Sequence, residues 1–147
     1  MNSRAVFHKI SYLQYPLYLL GLYWLYRPVI FRFNEIRSDL SILFTDFNIG
    51  LIFIGIGVSI STLQDTRKTQ NKLSKKIWQN PKYSRWALII LFLLTMIVIG
   101  MGVYFLLFPK EYKIEDLAVG LIVLGIGYIN ILKSAMEMAA NHQGKEF

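Results

Sequence analysis

Two histidines, His8 and His142, and nine acidic residues are the side chains in this 147-residue chain that could do acid–base or metal chemistry. Such chemistry needs groups that converge: a base within hydrogen-bond reach of the proton it takes, or several ligands at fixed spacing around one ion. Both histidines stand near the ends of the chain, with no second histidine and no HExxH pattern beside either, so they read as plain surface residues. The acids gather next to apolar runs, where charges at helix ends suffice to explain them. There is no cysteine, which removes disulfides, thiolate nucleophiles and Cys-type zinc sites. "GIGVSIS" at 55–61 has the glycines of a phosphate loop but not the GK[ST] that grips the phosphate. No catalytic residue, metal site or cofactor site emerges, and the chain is expected not to be an enzyme.

The remaining polar candidates lie inside or beside greasy runs: Gln14, Ser59, Ser61, Thr62, Thr95 and Asn130. Asn130 stands out because an amide in hydrocarbon needs a partner. It would bond across to a neighbouring helix or, in an oligomer, line a pore. The span interiors carry no ionisable side chain of the kind that marks an ion or proton route.

Those runs are the elements that position everything else. Tyr12–Tyr26, Asn48–Leu63, Trp86–Phe108 and Ile114–Leu132 are nearly free of charge, and each is near the length that crosses a bilayer as a helix. They lack the alternation of barrel strands, and backbone satisfaction in lipid leaves helices as the other choice. The expected fold is an all-α integral membrane protein. It is one domain, 1–147, with transmembrane helices over about 12–31, 47–64, 85–108 and 114–133. The first run ends in bulky "LYWLYRP" with no small-residue cleavage site, so it is expected to be retained.

The net charge of +7 follows from topology rather than nucleic-acid binding. Placing 1–11, 64–85 and 133–147 on one side collects most Lys and Arg there, and the positive-inside rule makes that side cytoplasmic. The expected location is the cell membrane, multi-pass, with both termini in the cytoplasm. In the basic connection 64–85, Arg67, Lys68, Lys72, Lys75 and Lys76 are candidates for anionic lipid headgroups, each worth roughly 1 kcal/mol near such a surface. Asn80-Pro81 would stop what otherwise reads as a polar extension of the second helix. In the outer connection, Val29, Phe33, Ile36, Leu40, Leu43 and Phe47 recur at four- and three-residue steps. They predict an amphipathic helix over about 29–45, leaving the first span at Pro28.

Two of the runs share a register. "GLIFIGIGVSIS" from Gly50 and "GLIVLGIGYINI" from Gly120 carry glycines at the same three offsets: Gly50, Gly55, Gly57 and Gly120, Gly125, Gly127. Asp46 and Asp116 precede them at the same distance, each expected at a helix N-terminus. The match suggests a duplicated hairpin, a parallel repeat about an axis along the membrane normal. Lipid tails give no hydrophobic drive for helix association, so small residues that let backbones approach are expected at contacts. The second and fourth helices should then be central, with the Gly50/Gly57 stripe against the Gly120/Gly127 stripe. Gly55 with Ser59 is left for another helix or a neighbouring subunit.

The functional expectation is a non-enzymatic small membrane protein acting as a self-assembling subunit, a homo-oligomer, or as an accessory subunit in a hetero-complex with another protein. The alternative is an oligomeric ion channel or pore. The bilayer, with its anionic lipids, is the expected partner, and nucleic acid is not.

Overall fold

The computed structural model describes residues 3–63, 72–108 and 114–143, and every regular element among them is helical. In chain order these are α1 (Ser3–Ile10), α2 (Gln14–Phe31), α3 (Phe33–Ser38), α4 (Ser41–Ser61), α5 (Lys72–Gln79), α6 (Pro81–Leu107) and α7 (Ala118–Gln143). Short 3-10 turns at Ser11–Leu13 and Ile114–Leu117 precede α2 and α7. Three stretches are long and apolar enough to cross a membrane: Ser41–Ser61, Pro81–Leu107 and Ile114–His142. α2 is not among them. It is built from "QYPLYLLGLYWLYRPVIF", where tyrosines, a tryptophan, two prolines and Arg27 dilute the leucines.

The helix limits follow from local chemistry. Pro16 sits in the first turn of α2, where its missing N–H is not needed, but its ring crowds the carbonyl four residues back. The chain therefore turns through Ser11–Leu13, and the Ser11 hydroxyl donates to the His8 carbonyl at 2.7 Å. Asn80 ends α5 and begins α6. Its backbone is extended, its side-chain oxygen accepts from the Lys82 N–H at 3.0 Å, and Pro81 takes the first helical position. α4 ends at Ser61, where Ser59, Ser61 and Thr62 donate to the carbonyls of Gly55, Val58 and Ser59. Such back-bonding weakens a helix interior and suits its last turn. The polar extension expected beyond it, 64–71, lies outside the described residues.

The outer connection differs from expectation. Pro28 is buried inside α2, and the helix runs on to Phe31. The chain leaves at Arg32, whose φ of −123° ends the helix. In place of one amphipathic helix there is the end of α2, the six-residue α3, and an early start of α4. Asp39 makes the second break. It is extended, and its carboxylate accepts from the Ser41 N–H at 2.9 Å, an attachment that competes with continuing the helix. Phe33 and Leu40 are exposed and Ile36 is half-buried.

α2 packs on α4, α4 on α7, and α7 on α6, so the long helices form a row in the order α2–α4–α7–α6. α4 and α7 are central. The short α5 packs against α6 and α7. The glycines explain how closely the row is drawn together, but not in the pairing their spacing suggests. A methyl group on Gly50 would meet Leu25 at 2.9 Å and the Gly21 carbonyl at 3.0 Å, and one on Gly57 would meet Tyr18 at 2.9 Å, both on α2. The face of α4 turned to α7 is that of Gly55, where a methyl would meet the Leu124 nitrogen at 2.7 Å. On α7, Gly120 and Gly127 do face α4, against the Asn48 carbonyl at 2.7 Å and the Gly55 carbonyl at 2.8 Å, while Gly125 faces Ile99 of α6.

The reason is geometric. An inner helix of a row needs two close-packing faces, and residues five apart lie about 140° apart around a helix. The Gly50/Gly57 stripe therefore serves one neighbour and Gly55 the other. The shared register has a further consequence for the repeat. In α4 the first stripe faces its own hairpin partner, α2; in α7 the equivalent stripe faces α4, and the other glycine faces the hairpin partner, α6. The two hairpins are not packed equivalently. α4 and α7 instead present the same faces in the same directions along the row.

Candidate functional site

Among the described residues that are buried and polar, Asp46 carries a charge, and it lies where α2 gives way to α4. Asp46 lies in the second turn of α4, not at its N-terminus as expected, because the helix begins five residues earlier. There it is 3% exposed and faces α2. Arg27 Nη1 lies 3.4 Å from its Oδ1 and Arg32 Nη1 lies 3.7 Å from its Oδ2. Arg27 also stacks over the Trp24 ring, 4.6 Å from the centroid, which fixes its plane beside α4. Arg32 Nε donates to Glu35 at 2.7 Å. That hydrogen bond, partly opposed by desolvation and reinforced by the charges of Glu35 and Asp46, pushes the Arg32 guanidinium above its ordinary range. Asp46 Oδ2 is enclosed without a hydrogen bond. One buried carboxylate thus ties α2, α3 and α4 together through two cations that keep contact with solvent.

A second polar seam joins α4 to α7. The Thr45 hydroxyl sits 2.9 Å from the Ser41 carbonyl and 3.1 Å from the Asp116 carboxylate. Three residues on, the Asn48 side-chain oxygen accepts the Gly120 N–H at 2.6 Å. The first turn of a helix leaves N–H groups unpaired, and here the partner for one of α7's comes from another helix. Asp46 and Asp116, matched in sequence, therefore do different things. The first is buried against arginines, and the second takes a hydroxyl on the surface.

Asn130 is half-buried on α7, and its amide makes no hydrogen bond with another described residue. Thr95 is buried, but its hydroxyl donates to the Leu91 carbonyl of its own helix at 2.7 Å. Gln14 is also buried. Of the basic residues singled out for lipid headgroups, Arg67 and Lys68 lie outside the described residues, Lys72 and Lys75 fall on α5, and Lys76 is exposed. Among the described residues no three His, Asp or Glu side chains come close enough to hold a metal ion.

The sequence reading missed Asp46 and Asn48 as contact residues. The signal was present in their positions beside the glycine register. With the helix taken to begin near residue 47, both fell on a boundary where any polar residue looks natural.

One further surface is well defined. On α2, Gln14, Leu17, Gly21, Leu25 and Pro28 recur at three- and four-residue steps. Gln14, Gly21 and Pro28 are buried, while Leu17 and Leu25 meet the glycines of α4. On the opposite side Tyr12, Tyr15, Leu19, Leu22 and Tyr26 recur at the same kind of step, and each is between 44% and 69% exposed. Alternating three- and four-residue steps are the spacing by which one helix seats another. α2 and the turn before it carry two such seams, and α4 fills one. No protein-family model, curated protein or solved structure matches the chain.

Proposed function

We propose that this protein is a non-enzymatic, four-span membrane subunit that works by assembling, with further copies of itself or with another membrane protein. α2 is the fourth span in this reading, beside α4, α6 and α7, and both termini lie in the cytoplasm. The observation that carries it is the open seam of α2, Tyr12, Tyr15, Leu19, Leu22 and Tyr26. A helix this rich in tyrosine gains less from lipid than α6 does, and its hydroxyls call for partners. A helix from a second polypeptide would supply both packing and polar contacts.

Single cysteines at Leu19 and Leu22, oxidised in native membranes, test this. Disulfide-linked dimers, or crosslinks to one co-purifying protein, are the expected result, with Leu17→Cys silent because α4 covers it. If none of these residues crosslinks and the chain runs as a monomer in nanodiscs, the tyrosines are interfacial anchors and the reading fails.

An oligomeric channel is the second reading. Asn130 favours it, with a half-buried amide on α7 that is unbonded among the described residues. Conductance in planar bilayers that changes on Asn130→Ala would support it.

A further inference from the structure

At the end of the row opposite the Asp46 cluster, Pro81, Lys82, Arg85, Trp86 and Ile89 line an open groove of about 410 Å³ along the first turns of α6. These residues lie on one face of the helix, and the groove runs about 12 Å along the axis. Its chemistry is graded along that length. Lys82 and Arg85, both exposed, stand at the end next to α5; Trp86, 58% exposed, lies in the middle; Ile89 begins the apolar end, and exposed Ile90 and Leu93 continue beyond it. Neither cation forms an ion pair with a described acid. Asn80 fixes the geometry, because its cap on the Lys82 N–H sets where α5 stops and α6 enters.

We infer that this groove is a binding site for an anionic phospholipid, whose headgroup sits on Lys82 and Arg85 and whose acyl chain runs over Trp86 and Ile89. The inference rests on the reading of α6 as a membrane span. Three features of the groove select that ligand. The positive charge complements an anionic headgroup. Tryptophan is the side chain that favours the level between headgroup and hydrocarbon. The apolar end points along a helix long enough to cross the bilayer, so an amphiphile fits its whole length whereas a soluble anion would use one end only.

The test uses the full chain with Trp24→Phe and Trp78→Phe, leaving Trp86 as the one tryptophan, excited selectively over the tyrosines, in mixed phosphatidylglycerol and phosphatidylcholine vesicles. Acyl chains brominated on one lipid or the other report which lipid touches Trp86. Brominated phosphatidylglycerol should quench more strongly than brominated phosphatidylcholine at equal content. Lys82→Gln and Arg85→Gln should each reduce that preference about fivefold, whereas Lys9→Gln should leave it intact. Equal quenching by both lipids would overturn the inference while leaving α6 in the membrane. Loss of the preference on adding glycerol phosphate would overturn it in favour of a soluble anion. No quenching by either lipid would overturn the spanning reading itself.

Discussion

The side-chain oxygen of Asn48 accepts the backbone N–H of Gly120 at 2.6 Å, so a residue on α4 completes the first turn of α7. Asn48→Ala should destabilise the protein by about 1 kcal/mol, the usual size of a lost cap, while Asn48→Asp, which keeps the acceptor, should cost less. Thermal unfolding in detergent micelles measures both. An Asn48→Ala variant as stable as the parent would mean that water replaces the bond.

The glycines of α4 should rank by what they touch. At Gly55 an added methyl meets the backbone of Val123 and Leu124, which cannot step aside; at Gly57 it meets the ring of Tyr18, which can. Gly55→Ala should therefore cost about 1–3 kcal/mol and Gly57→Ala less. This differs from the order that the sequence alone suggested, in which the Gly57 stripe held the protomer together and Gly55 was left for another helix or a neighbouring subunit. Gly100 has open space around it, and Gly100→Ala should be neutral or slightly stabilising. Equal losses at positions 55 and 100 would contradict the packing described.

Asp46 should be sensitive to loss of charge. Asp46→Asn leaves Arg27 and Arg32 without their buried counter-charge. The expected cost is about 1–3 kcal/mol, below that of a fully enclosed pair because both arginines keep contact with solvent. A double-mutant cycle with Arg27→Gln should show coupling between the two positions, read as unfolding midpoints.

Arg32 should contribute without a pH profile of its own. Its folded-state value is raised, so whatever stability it adds is fully present below the ordinary arginine value and is lost only above the raised one. Across the neutral range the stability difference between the parent and Arg32→Gln should be flat. A slope across that range would contradict this account of Arg32.

Topology can be tested directly. Cysteines at Glu35 and Lys110 should react with an impermeant thiol reagent in intact cells, and cysteines at Asn2, Thr69 and Asn141 should not. External labelling at position 69 would invert the scheme.

Much of the architecture can be read from residue order, and the failures have physical causes. α4, α6 and α7 are visible as apolar runs because lipid tolerates little else, and the glycine stripes mark the two helices with most neighbours. A stripe reports that some backbone comes close; it does not say whose. Gly50 and Gly55 therefore looked alike until α2 and α7 were seen on opposite sides of α4. The outer connection misled because its apolar spacing continues unbroken through residues 29–47, while the interruptions at Arg32 and Asp39 are set by backbone angles and one side-chain bond. Asp46 was expected at a helix N-terminus, and an early helix start carried it from that end to a buried turn.

The order of the row also bears on biosynthesis. Helices leave the ribosome as α2, α4, α6 and α7, yet in the folded chain α7 stands between α4 and α6. α6 packs on α7 and α5, so when it is made its main neighbour does not yet exist. In the spanning reading proposed above it first stands alone in the bilayer, and its composition suits that, since it is the most apolar of the three stretches long enough to cross a membrane and the least covered by the rest of the described chain. The last helix then packs between the two made before it, where Asn48 and Gly55 meet Gly120 and Gly127. A chain ending before residue 114 would keep the α2–α4 contact and lack the helix that joins α4 to α6, so the last helix is what closes the row.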